Sequence, residues 1–254
     1  MMNANLLGLW LCLFSLTAFS ADKQALTDLE KLRSCPGCDL READLQGKNL
    51  KGVNLSGANL EKANFNNAYM EKINLIGANL SNASLNFANL TGAKLKGANL
   101  NGALLNGTLL IKANLESANL QEVKAKQANF SLAILRGAYL YQSELLGANF
   151  YRADLSGAFL KSANLQRANL SMSILQHTDF DNADLSDASV VAAEVADMSV
   201  NESTQKMLAT TRRPFGILSP VAEEVEASEE EESETEEAEE GGEKTEEAEA
   251  EASE

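Results

Sequence analysis

The chain has 254 residues and a formal net charge of −16, but the charge sits at one end: Val221–Glu254 holds 18 Glu and one Lys, while Met1–Pro220 holds 20 Lys+Arg against 19 Asp+Glu. The body is therefore near neutral, which excludes a uniformly negative, DNA-like surface, and no nucleic-acid partner is expected. A single His and three Cys leave few candidate ligands for a metal centre, and no cofactor is expected.

Residues 1–20 read as a signal peptide. Leu6–Phe19 is an apolar run of h-region length, shorter than a bilayer span. Ala18 and Ser20 stand at −3 and −1 of a cleavage before Ala21. The n-region, Met1–Asn5, has no Lys or Arg, so a retained N-terminal anchor is the alternative. The bulky Leu11 ahead of Cys12 argues against lipid attachment. No later segment is apolar enough to span a membrane. The expected destination is the periplasm or the extracellular medium, with a thylakoid-like lumen as the alternative.

Residues 21–38 are expected to cap the domain that follows. Leu26, Leu29 and Leu32 recur at helical spacing within Ala25–Arg33, with Thr27 as N-cap. The mature chain keeps only Cys35 and Cys38, in a Cys-Pro-Gly-Cys pair. An even count in an exported chain favours a disulfide between them. A redox-active pair is the other reading, but no strand–helix unit surrounds it. Zinc would need two more ligands, and haem attachment a His where Asp39 stands.

From Leu40 to Val190 every fifth residue is apolar, 31 positions without insertion or deletion, and 28 are Leu or Phe. Two residues before each lies a second column, Ala43 to Ala188, in which 22 of 30 are Ala. Between the columns stands most often Asn or Asp, and Gly recurs two residues after Leu, as at Gly47, Gly97 and Gly157. A period of five fits neither a helix nor a plain strand. Ala and Leu, two apart, share one side of a short extended piece; Asn or Asp points away; a tight turn follows, where Gly adopts positive φ freely. Such units must stack to bury their apolar side.

Strings such as Ala58-Asn59-Leu60, Ala98-Asn99-Leu100 and Ala168-Asn169-Leu170 resemble the A(D/N)LXX pattern of the pentapeptide repeat family. The resemblance implies an all-β fold: a right-handed quadrilateral β-helix over 39–195, with four units per coil, about 7.5 coils and short capping helices. At ~4.8 Å per coil the rod is roughly 36 Å long. Leu60, Leu80 and Leu100 are then expected in one ladder, and Phe130 and Phe150 next to one another. Ala125 is the one shrunken core position, with the bulkier Val123 beside it. Residues 196–220 read as a C-terminal cap and linker, with a second helix over Asn201–Thr210. Residues 221–254 read as a disordered acidic tail.

A rod filled with Leu and Phe offers no substrate cavity, so no catalytic residue is expected. His177 falls at an outward turn, and Asp179, Asp181, Asp184 and Asp187 spread over two faces as solvated positions. Apolar residues interrupt the outward columns at Leu104, Leu109, Ile134, Tyr139, Phe159 and Ile174. Tyr139 and Phe159 are twenty apart, with Tyr141 close by. With Leu104 and Leu109 they form the candidate interaction face for an unidentified protein partner. Self-pairing as a homodimer is left open. The expected function is an exported, non-enzymatic structural adaptor. The alternatives are a DNA mimic acting on DNA gyrase, as some members of the family do, and weak Ca²⁺ or surface binding through the acidic tail.

Overall fold

The computed structural model describes residues 33–198 and Val200. The signal segment, the capping helix before Arg33, the second helix over 201–210, the linker and the acidic tail lie outside the described residues. The chain divides into two units at Leu218/Ser219, and all described residues belong to the first.

Each five-residue unit contributes one parallel β-bridge, made by the residue between Ala and Leu with its equivalent twenty residues on. Four such ladders run through the molecule. Face one holds Asp39 to Asp179, face two Asp44 to Asp184, face three Asn49 to Ser189, and face four Ser34 to Glu194. The extended piece between turns is too short to become a strand, so each face is a ladder of single bridges. Four units make a coil, and Ser34 to Glu194 is eight twenty-residue steps.

The repeat is explained by where its backbone amides go. In the unit around Leu100, the Leu100 N–H donates to Asn119 O in the next coil at 2.7 Å, and the Gly102 N–H to Gln121 O at 2.9 Å. The Asn99 N–H reaches back to Ala78 O at 2.9 Å, and the Ala103 N–H closes the turn on Leu100 O at 2.9 Å. One amide per unit is left, that of the first turn residue. Where the preceding rung is Asn or Asp, it donates to that side chain: Asn101 N–H to Asn99 Oδ1 at 3.2 Å, and likewise Ser81 on Asn79 and Tyr151 on Asn149. Asn and Asp therefore recur because this Asx turn completes the hydrogen bonding. Their carboxamides also link coils, as Asn79 Nδ2 to Asn59 Oδ1 and Asn99 Nδ2 to Asn79 Oδ1.

The second turn residue has positive φ in every unit from Gly37 to Asp197, between 48° and 68°. With the first turn residue at negative φ and the i to i+3 hydrogen bond, this is a type II turn. Only twelve of these residues are Gly; Lys, Gln, Phe87, Leu132, Met172 and His177 are among the rest. Stacking imposes the left-handed conformation, and Gly merely lowers its cost of about 1–2 kcal/mol per residue.

Leu60, Leu80 and Leu100 are buried as expected, and Phe130 stacks on Phe150 with centroids 4.8 Å apart. Ala125 and Val123 are both fully buried. Each buried Leu or Phe contributes about 1.5–3 kcal/mol before entropy is counted. Thr108, Ser143, Ser173 and Thr178 replace Ala in the interior, and each hydroxyl donates to a Leu carbonyl.

The ladder begins one unit earlier than the Leu spacing suggests. Cys35 takes the inward Leu position, Pro36-Gly37 the turn, and Cys38 the following Ala position. Cys35 N–H donates to Asn54 O at 2.8 Å and Gly37 N–H to Ser56 O at 2.9 Å, as in any other coil. The Cys pair thus lies inside the first coil rather than in a cap ahead of it. Cysteine at a Leu position hid the unit from a count of large apolar residues. Beside it, the Arg33 guanidinium donates to the carbonyls of Asn49 and Lys51 at 3.3 and 2.7 Å, closing part of the ladder's first edge.

Candidate interaction face

The rod turns by one face every five residues, and this sorts the candidate residues. Tyr139 and Phe159 are successive rungs of face one, which begins Asp39-Asn59-Asn79-Asn99-Asn119 and ends at Asp179. Their rings stack with centroids 5.2 Å apart and planes 5° from parallel. Tyr141 is the first turn residue at the corner between faces one and two. Its ring lies 6.2 Å from Tyr139 and 5.7 Å from Phe159. The three rings form one cluster, with Tyr139 38% exposed.

Leu104 and Leu109 do not join it. Leu104 is a rung of face two and Leu109 of face three. Sharing a position within the five-residue unit does not place two residues on one side; only a separation of twenty does. The candidate face reduces to Tyr139, Tyr141 and Phe159.

Charges frame the cluster. Lys161 follows Tyr141 along the same corner and pairs with Asp181 at 2.8 Å, which raises the Lys161 pKa. Partial burial, with Asp179 nearby, pushes the Tyr141 hydroxyl up, so it is protonated at neutral pH and available as a donor. Asp184 accepts from Ser186 and Gln166, which hold its carboxyl below the usual range. His177 is an exposed turn residue at φ 55°, its Nδ1 3.9 Å from Asp197. Among the described residues no group of three or more His, Cys, Asp or Glu is placed to hold a metal ion, and no helix is long and apolar enough to cross a membrane. Cys35 and Cys38 are paired across their turn, Cα atoms 5.5 Å apart.

The structure also shows apolar surface that a reading of the outward column alone overlooks. Leu132, Met172 and Val191 are turn residues with 41%, 44% and 56% exposure, all on the corner between faces three and four. Phe87, another turn residue, lies over Gly107 of the next coil. The wall beside Phe87 is a ladder of Asn66, Asn86 and Asn106, whose side chains accept the corner amides twenty residues on.

A family model described as pentapeptide repeats matches this sequence in eight copies, in overlapping segments between residues 35 and 193. No curated protein matches it. Among solved structures, it is similar to HetL, a pentapeptide repeat protein involved in heterocyst differentiation regulation from the cyanobacterium Nostoc sp. strain PCC 7120. That similarity is 35% identity over 65% of this chain and 84% of that one, TM-score 0.39. A trypsin-treated variant of QnrB1, a plasmid-mediated fluoroquinolone resistance protein, matches at 18% identity over 70% and 86% of the two chains, TM-score 0.34. A pentapeptide repeat protein from the Arabidopsis thaliana thylakoid lumen matches at 28% identity over 44% and 67%, TM-score 0.20.

Proposed function

Because this chain belongs to the pentapeptide repeat family, whose fold is a right-handed β-helix, we propose that it is a non-enzymatic, exported adaptor: a rigid four-sided rod presenting Tyr139, Tyr141 and Phe159 to a protein partner. The observation that carries this is the break in face one. Four successive rungs, Asn59 to Asn119, are Asn, and then two are aromatic. Tyr139 and Phe159 offer no acceptor to the amides of Tyr141 and Lys161, so each forgoes the Asx hydrogen bond that the other rungs of face one make, worth about 0.5–1.5 kcal/mol. The stacked rings offset that loss in part, and a clustered, part-exposed aromatic surface suits protein contact.

The rest of the molecule is consistent with a scaffold. Among the described residues its interior is filled, chiefly by Leu, Phe and Ala, which leaves no recess there for a substrate. Export rests on the apolar leader and on the Cys35–Cys38 pair. Between Arg33 and Val200 there are fifteen Lys+Arg and fifteen Asp+Glu, so the rod lacks the charge of duplex DNA, and action on gyrase is the weaker reading.

The test is affinity capture from the exported fraction with the full chain, with Tyr139→Ser/Phe159→Ser, and with Leu109→Ser on face three. The proposal expects a partner held by the parent and by Leu109→Ser and lost by the double variant. Capture unchanged in the double variant removes face one from consideration.

A further inference from the structure

Along the corner between faces three and four, two outward columns run side by side. One is the second turn residue of the corner; the other is the rung of face four, two residues later. In three successive coils they carry complementary groups. Leu132 stands beside Ile134, Arg152 beside Asp154, and Met172 beside Ile174. In the other coils the columns are unlike but carry no like-charged neighbours: Gly52 stands beside Asn54, Lys72 beside Asn74, Gly92 beside Lys94, Lys112 beside Asn114 and Ala192 beside Glu194. Nothing in the five-residue period requires this complementarity.

We propose that this corner pairs two copies of the chain, rods parallel, about a two-fold axis that runs along the rods between the two columns. Under that operation each residue of one column meets the neighbouring column of the second copy in the same coil. Leu132 meets the partner's Ile134, Met172 the partner's Ile174, and Arg152 the partner's Asp154, each contact occurring twice. Lys72 and Lys112 meet Asn rather than Lys. The antiparallel alternative sets Arg152 on the partner's Arg152 and Asp154 on the partner's Asp154, so charge selects the parallel arrangement.

The local structure prepares these groups. Leu132 and Met172 are 41% and 44% exposed. The Tyr151 hydroxyl lies 3.4 Å from Met172 Sδ, and the Arg152 guanidinium 5.3 Å from the Tyr151 ring centroid, so both side chains contact Tyr151. Arg152 pairs with no carboxylate among the described residues. Asp154 is held in place by the amide and hydroxyl of Ser156 and by Arg136 Nε at 3.4 Å. Eight coils at ~4.8 Å and a strip roughly 10 Å wide give about 400 Å² per copy, half of what a standard stable interface buries on each side. The association is therefore weak and concentration-dependent. It lies diagonally across the rod from Tyr141, so it leaves the aromatic clusters of both copies open and does not depend on them.

Sedimentation velocity of the full chain, from micromolar to millimolar concentration, tests this. The sedimentation coefficient is expected to rise with concentration toward that of a dimer. Arg152→Glu raises the midpoint concentration roughly tenfold or more, since it sets like charges face to face. Asp154→Lys does the same, and an equimolar mixture of the two variants restores pairing, because each substituted position then meets its opposite charge. Met172→Asp, at an exposed turn, is a second disrupting variant should Asp154→Lys impair folding. Tyr139→Ser/Phe159→Ser leaves the self-association unchanged. A single species at every concentration overturns the proposal, as does a mixture no better than its components, or an Arg152→Glu midpoint no higher than the parent's, since antiparallel rods merely exchange one like-charged pair for another.

Discussion

Asn99→Ala measures how far the outward asparagines, rather than the Leu core alone, hold the coils. Asn99 Oδ1 accepts the Asn101 amide at 3.2 Å, and Asn99 Nδ2 donates to Asn79 Oδ1 at 3.1 Å. Both bonds are part-buried and on the long side, so each contributes about 0.5–1.5 kcal/mol and the alanine variant loses about 1–3 kcal/mol. Asn99→Asp keeps the acceptor for Asn101 but removes the donor to Asn79, and is expected to lose about half as much. Urea unfolding of the full chain, followed by circular dichroism, reads both losses as shifts in midpoint at unchanged m-value. If alanine and parent unfold at the same urea concentration, the Asx turn contributes nothing, and the explanation of why Asn and Asp recur fails with it.

The turns give a second prediction. A Cβ at Gly97 meets nothing within 4 Å, so Gly97→Ala costs only the positive φ, about 1–2 kcal/mol, whereas a Cβ at Gly107 lies 2.6 Å from the Phe87 ring. Gly107→Ala is therefore the more destabilising in thermal melts, and Phe87→Ala removes the excess in a double-mutant cycle. Stability is also expected to fall in acid. Asp184, held low by Ser186 and Gln166, and Asp39, held low by Arg41, stabilise the fold while ionised, and this is lost as pH drops below about 4 through their depressed values. Asp184→Asn should flatten that part of the pH–midpoint curve. Thiol titration of the denatured exported protein should find Cys35 and Cys38 oxidised. Reduction should lower the melting point, since closing a loop across three residues of sequence contributes about 2 kcal/mol in the chain-entropy account.

Periodicity carries most of the architecture because each inward residue meets the same environment in every coil. Leu60, Leu80 and Leu100, and the contact of Phe130 with Phe150, are readable from spacing alone. The stack of Tyr139 on Phe159 is legible for the same reason, being twenty residues apart. What spacing hides is identity that departs from type. Cys35 fills a Leu position, and the unit goes unrecognised. The separation of Leu104 and Leu109 from the aromatic cluster follows from the coil, but an apolar residue at the right place in the unit looks like a member of one surface. Leu132 and Met172 escape notice because they occupy a turn position where Gly is expected. Only the stacked backbone shows that this position is left-handed whichever residue fills it.

The twenty-residue coil places every surface described above, and cross-linking tests it directly. Asn101 and Gln121 occupy one corner of adjacent coils, where the Asn101 side chain already reaches the Gln121 carbonyl at 3.2 Å. With a coil spacing of ~4.8 Å, cysteines at these two positions fall within disulfide reach, whereas cysteines at Asn101 and Glu116, or at Asn101 and Lys126, stand on different corners. Oxidation of the three double variants, mapped by mass spectrometry, is expected to give an intramolecular bond only in Asn101→Cys/Gln121→Cys. Equal cross-linking at a separation of fifteen or twenty-five would contradict the coil, and with it the aromatic cluster and the paired corner.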